Sequence, residues 1–285
     1  MMEKVRILAD STCDLSKELI EKYGIEIVPL NIILDEKSFF DGEDITPDDI
    51  YNWAEENKRT PKTAAVGFDR MTAVVEKAKE EGVSLIAFSI SSEMSTTFNV
   101  MRMVKEELEY DRMFIIDSGN LSTGIGLQVI RAAELAADGV SAEEIVKQIE
   151  ETKDLVRASF VVKRLDYLAM GGRCSSVAAL LGGTLKLKPR IEVSSGKMAA
   201  GKKYRGNQDK VILKYVQEME EDLKAADPRR VFITHSGCPQ ELLDSVKAYL
   251  EQLNKFDEIL ITRAGGVISS HCGPETLGVL FYAQK

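Results

Sequence analysis

The sequence predicts an α/β protein of two domains: a three-layer α/β/α parallel sheet first, then a mixed sheet with helices packed on it. Three observations predict this. Apolar runs of strand length alternate with 3.6-periodic segments through the first half, and right-handed crossovers then put helices on both faces of a parallel sheet. The second half contains a hairpin signal followed by isolated amphipathic helices and short strands, the pattern of a mixed sheet. The length of 285 residues suits two domains of roughly 150 residues each.

Val5–Ala9 reads as the first strand, and a helix from about Ser16 to Tyr23 is stopped by Gly24. Ile25–Leu34 is one extended run, and Ser38–Asp44 an excursion at the edge. Thr46-Pro47-Asp48-Asp49 supplies a hydroxyl N-cap, a proline at the first helical position and acids against the positive dipole end. The helix it starts runs towards Asn57. Met71, Val74, Val75 and Ala78 form one helical stripe ending near Gly82; Val83–Ile90 is a strand, Thr96–Leu108 a helix and Met113–Ile116 a strand.

Ser141 and Glu144 form a capping box for a helix that fades around Asp154, so the domains are expected at 1–155 and 156–285. Val156–Val162 is the next strand, with short helical segments around Leu165–Met170 and Val177–Leu181 and a hairpin turn at Ser194–Lys197. Val211, Ile212, Tyr215, Val216, Met219 and Leu223 line one long helix; a second stripe runs from Leu242 to Leu253. Val231–Thr234, Ile259–Thr262 and Val279–Tyr282 are the remaining strands.

The 46 acidic residues outnumber the 37 basic ones, for a net charge of −9. No overall positive field exists to condense on a phosphate backbone, so nucleic acid is not an expected partner. No apolar run approaches the ~18 residues that span a bilayer, and the first ten residues hold too short an apolar stretch for a signal-peptide core. The expected location is the cytoplasm. Cys13, Cys174, Cys238 and Cys272 are scattered without a C-x-x-C pair, which fits reduced thiols used for packing.

Ligands of open parallel sheets sit beyond the carboxyl ends of the strands. Those positions are rich in small hydroxyls here: Asp10-Ser11-Thr12, then Ser91-Ser92-Glu93-Met94-Ser95-Thr96-Thr97, then Asp117-Ser118-Gly119. The second segment runs into a helix, with Ser95 at or near the cap, so its hydroxyls and free backbone N–H groups suit an anion, or serve N-capping alone. Gly171-Gly172-Arg173 offers a positive-φ turn and a guanidinium fork, an anion loop or a helix C-cap followed by a surface arginine. One of only two histidines, His271, lies in a glycine-rich stretch that fits a strand-end loop better than a packed core; a lone histidine is more often structural, but here the imidazole can donate to a carboxylate, and His271 is the better functional candidate of the two. His235 follows a strand too, with fewer donors around it.

Other signals fail. Gly196–Lys203 nearly spells a P-loop but ends in Lys and sits in a hairpin. Gly124-x-Gly126 lacks the third glycine of a dinucleotide fingerprint, no G-x-S-x-G occurs, and His235-x-x-Cys238 with His271-Cys272 lacks the regular spacing of a zinc site. No metal is expected. Lys202, Lys203 and Arg205 read as a solvated hairpin, with transient contact to an acidic partner or membrane surface as the functional alternative.

Asp10-Ser11-Thr12-Cys13-Asp14-Leu15, Ser91-Ser92-x-x-Ser95-x-Thr97, Gly171-Gly172-Arg173 with Leu187-Lys188-Pro189, and His271-x-Gly273-Pro274 together resemble the DegV family across nearly the whole chain. That family is similar to the fatty-acid-binding subunit of bacterial fatty acid kinase. The resemblance implies a DegV/dihydroxyacetone-kinase-like fold with one long-chain fatty acid in a buried tunnel. It also implies a separate catalytic subunit that phosphorylates the bound carboxylate, with ATP and magnesium on that partner, no covalently bound cofactor here, and the acyl phosphate retained by this chain. Carried over by position, Thr63, Ser95 and His271 are the carboxylate's partners and Arg173 serves phosphoryl transfer or kinase docking. Ser11, Ser92, Thr97, Gly171 and Gly172 support those loops. The chain departs from the family pattern at Ala64-Ala65-Val66-Gly67, usually Ser-Gln-Pro-Ser, and at Thr96, usually glycine; both departures adjoin the head-group residues.

Burying ~14 methylenes at roughly 0.8 kcal/mol each offers about 11 kcal/mol before ordering costs, so the tail can dominate affinity while the head group fixes register. The main reading is therefore a lipid-presenting subunit without a complete active site, since no ATP motif is present. The alternative is an enzyme or subunit for a small polar metabolite with His271 as base or nucleophile.

Overall fold

The computed structural model describes residues 4–178, 180 and 187–284. Its first sheet is wholly parallel, β1 (Val5–Asp10), β2 (Glu26–Val28), β6 (Ser84–Ser89) and β7 (Met113–Asp117) in the order β2-β1-β6-β7. β6 is buried at every position, as expected of a strand covered on both faces. β3 (Asn31–Leu34), β4 (Lys37–Phe40) and β5 (Lys62–Ala64) form a small antiparallel sheet in the order β4-β3-β5. The third sheet, mixed, contains β8 (Val156–Val161), β9 (Lys188–Ser194), β10 (Lys197–Tyr204), β11 (Ala226–His235), β12 (Glu258–Arg263) and β13 (Leu277–Ala283). Its order is β10-β9-β8-β13-β11-β12, and only β11 and β12 run parallel.

Local chemistry sets the helix ends. α1 (Lys17–Tyr23) is capped by Ser16 and stopped by Gly24 at φ 61°. α2 (Pro47–Asn57) carries a complete capping box between Thr46 and Asp49. α3 (Phe68–Glu80) and α4 (Thr97–Glu107) cover the parallel sheet. α5 (Thr123–Ala137) precedes α6 (Ala142–Thr152), where Ser141 accepts from the Glu144 N–H, half of the expected box. Two short helices follow, α7 (Asp166–Gly171) and α8 (Ser175–Ala178), and then α9 (Gln208–Gln217), α10 (Glu220–Lys224), α11 (Gln240–Gln252) and α12 (Gly266–Cys272). The β9–β10 turn at Ser195 (φ 48°) and Gly196 (φ 75°) has the two positive φ angles of a type I′ hairpin.

Several expectations need correction. Ile25–Leu34 is two strands in different sheets, because Pro29 and Leu30 interrupt it. Val211–Leu223 is two helices, with a break at Glu218 and Met219. The predicted helix around Val177–Leu181 is α8 as far as Ala178; residues 179 and 181–186 lie outside the described residues. The largest omission is α5, whose apolar surface runs all round because it packs against β1 on one side and β8 and β13 on the other. Its Gly124 and Gly126 serve close packing: a Cβ would come within 2.1 Å of Asn120 Oδ1 at the first and 2.7 Å of Leu15 Cδ2 at the second. One apolar cluster consequently runs from Ile7 and Phe88 through Ile125 and Val129 to Phe160, Phe232 and Leu280.

All four cysteines are free and buried. Among the described residues no helix is long and apolar enough to cross a membrane.

Candidate functional site

A cavity of about 470 Å³, within the usual range of roughly 300–1,000 Å³ for small-molecule sites, lies at the carboxyl ends of strands from both large sheets. Leu30 after β2, Ile90 and Ser92–Ser95 after β6, Leu121 and Ser122 after β7, His235 and Ser236 at β11, and Ala264 after β12 all line it. Ile90, Met94, Phe160, Leu168, Met198 and Leu280 contribute apolar wall. Of the residues singled out from the sequence, Thr63, Ser92, Ser95, Arg173 and His271 line this cavity.

β5 was not foreseen, and it positions Thr63 by pairing it with Ile32 of β3. Across the cavity, Thr63 Oγ1 lies 2.8 Å from His271 Nε2. His271 is in the last turn of α12, which corrects the expected loop; the paired glycines open a helix here. Its Nδ1 is buried without a partner, and burial, then the Arg173 charge, pushes the imidazole pKa down to about 4. The ring is neutral at physiological pH. In the tautomer carrying hydrogen on Nε2, His271 donates to Thr63 Oγ1 and the threonine's own proton is free for an acceptor in the cavity. Gly171 packs directly on the ring: a Cβ there would sit 2.3 Å from Nδ1.

Ser95 precedes the cap of α4, which is Thr96 and makes no side-chain capping bond. Instead Ser95 Oγ accepts the Thr97 N–H at 3.2 Å and lies 3.0 Å from Thr97 Oγ1. Thr97 itself is buried below the lining. Arg173 donates from Nε to the Met94 carbonyl at 3.3 Å and from Nη1 to the Gly171 carbonyl at 2.7 Å, tying the α7–α8 turn to the β6–α4 loop. Gly172 supplies the positive φ of 70° that lets the chain turn there. Ser92 lines the cavity with its side chain and backbone N–H donating to Asp117. Ser11 stands apart from it, donating to Asp41 and accepting from the Leu30 N–H.

Sequence reasoning passed over three buried carboxylates. Asp10 accepts from Thr12 and from the Ile90 N–H, and burial pushes its pKa up to about 6. Asp14 accepts from Ser122 and from the Gly265 N–H at 2.8 Å. Asp41 accepts from Ser11 Oγ at 2.8 Å, the Gly266 N–H at 2.7 Å and the Val267 N–H at 3.3 Å. Burial raises the pKa of both. For Asp10 and Asp14 the signal is the Asp-Ser-Thr-Cys-Asp string, read for its hydroxyls and not its acids. His235 also lines the cavity; its Nδ1 accepts the Gly237 and Cys238 N–H groups, and burial with the Arg263 charge lowers its pKa to about 4. Among the described residues no three His, Cys, Asp or Glu side chains gather as a metal site.

Comparison with known proteins agrees with this architecture. A DegV domain-containing protein of Clostridium perfringens is 33% identical over 284 residues, covering 100% of both chains. A fatty-acid-binding DegV family protein of Thermus thermophilus superposes with a TM-score of 0.88 at 28% identity, over 99% of this chain and 100% of that one. A stearic acid-binding protein of Eubacterium ventriosum gives 0.85 at 28% identity over 98% of each chain. The DegV family model matches residues 4–284. This chain belongs to the DegV family.

Proposed function

We propose that the chain binds one long-chain fatty acid, with the hydrocarbon against the apolar wall and the carboxylate held by Thr63, Ser95 and His271. A separate ATP-dependent kinase subunit then phosphorylates the presented carboxylate, and the acyl phosphate stays on this chain. Arg173, beside Met94 and Gly171, serves that transfer or the docking of the kinase. In this reading residues 1–155 and 156–285 are the two domains between which the ligand lies.

The observation that carries the reading is the pairing of Thr63 and His271 at 2.8 Å on a cavity walled by Ile90, Met94, Phe160, Leu168, Met198 and Leu280. A net charge of −9 gives no global attraction for a carboxylate, so local hydroxyl and imidazole donors must hold it. An apolar wall of this kind suits an acyl chain and not a small polar metabolite. Structural relatives named as fatty-acid-binding and stearic acid-binding proteins support the ligand class.

Native mass spectrometry of protein purified from bacteria tests the binding step. The expected result is one co-purifying C14–C18 fatty acid per chain; an empty cavity that fails to take up palmitate overturns it. Incubation of the loaded protein with ATP, magnesium and a fatty acid kinase catalytic subunit tests presentation, which fails if no acyl phosphate forms.

A further inference from the structure

α12 has seven residues, too short to be stable by its own propensity, and its N-cap Gly265 has no side chain to satisfy the first N–H groups. Two buried carboxylates supply what is missing. Asp14 Oδ1 accepts from Gly265 N at 2.8 Å, while Asp41 accepts from Gly266 N at 2.7 Å and from Val267 N at 3.3 Å. Each acid also accepts from a serine, Asp14 from Ser122 and Asp41 from Ser11.

The fit leaves no room for a side chain at Gly266. A Cβ at Gly266 would sit 2.8 Å from Asp41 Oδ1 and 2.5 Å from Ile32 Cδ1. Five residues beyond Gly266, at about 1.5 Å of rise each, the same rigid element carries His271 to Thr63. Ile32 is itself the strand partner of Thr63, so one cluster registers both members of the pair.

We propose that Asp41 is a positioning residue for His271: by seating the first turn of α12 it fixes the distance between the imidazole Nε2 and the Thr63 hydroxyl. The consequence for ligand affinity rests on the fatty-acid reading above; the consequence for the imidazole does not.

The test is Asp41→Asn, which keeps the shape but replaces one acceptor by an NH2 group facing N–H donors. The ring nitrogen shifts of His271, one of two histidines, are read by NMR in the ligand-free protein. The Asp41→Asn shifts are expected to move away from those of the wild type. Palmitate affinity is expected to fall about five- to tenfold, with little further loss when Asp41→Asn is added to His271→Ala. A purely structural role would lower stability, leave the ring nitrogens in place and add to His271→Ala.

Unchanged His271 shifts in folded Asp41→Asn overturn the proposal. Should that variant not fold, Ser11→Ala, which removes the donor to Asp41 Oδ2, is read in the same way: shifts that move support the proposal and unchanged shifts overturn it. If the wild type takes up no palmitate, the fatty-acid reading fails and the ring shifts still decide the role of Asp41.

Discussion

Thr63 and His271 are separated by 208 positions in the chain, yet their side chains meet at 2.8 Å. One arrives on a three-residue edge strand and the other on the last turn of a short helix. Neither element has a strong local reason to form, so the contact reports on the tertiary structure that assembles both.

Thr63→Val keeps the β-branched shape and deletes the hydroxyl. The buried imidazole then loses its partner, and stability should fall by about 1–3 kcal/mol in urea denaturation, with palmitate affinity reduced alongside. A variant as stable as the wild type would show that the hydrogen bond contributes nothing.

Ser95→Ala removes the acceptor of the Thr97 N–H and a candidate carboxylate partner. Phosphorylation of bound lipid by the catalytic subunit should drop more than lipid retention, measured as acyl phosphate and as bound fatty acid on the same sample. Equal losses of both would argue against a head-group role.

Gly171→Ala introduces a Cβ 2.3 Å from His271 Nδ1, an overlap that only movement of the ring can relieve. Overpacking of this kind costs about 1–3 kcal/mol. The expected outcome is a folded protein, by circular dichroism, that has lost most of its bound fatty acid; full retention would show that the ring position is unimportant.

His271 sits near pKa 4 when folded and near its ordinary 6.5 when unfolded. Between those values the unfolded chain binds more protons, so this residue contributes stability that is present above about pH 6.5 and lost as pH falls towards 4. His235 acts in the same direction, while Asp10, raised to about 6, gives stability that is lost as pH rises from 3.8 through 6. The His271 part is isolated by comparing wild type with His271→Gln: on going from pH 7.5 to 5 the variant should lose less stability, or gain more, than the wild type. Parallel pH profiles would refute the assignment.

Elements with local causes were legible in the sequence. The Thr46–Asp49 box, the Gly24 stop and the Ser195-Gly196 turn each carry their chemistry within a few residues. α5 was missed because burial on all sides erases the amphipathic period by which a helix is recognised. α12 was read as a loop for a related reason: its capping acids, Asp14 and Asp41, are more than 220 positions away, so the glycines stood without their partners. Arg173, His271 and His235 stand out by their local context, a glycine pair, a glycine-rich stretch and a strand end; Thr63 is named only through family resemblance, and Asp41 carries no local signature at all.

The position of α5 also constrains how any guest enters. Ile125, Leu127, Val129 and Ile130 are almost wholly shielded between two sheets, and prising those sheets apart would wet them at about 25 cal/mol for every Å² exposed. Loading by a clamshell opening of the two sheets would carry that cost. A guest that avoids it enters with the sheets still held together around α5.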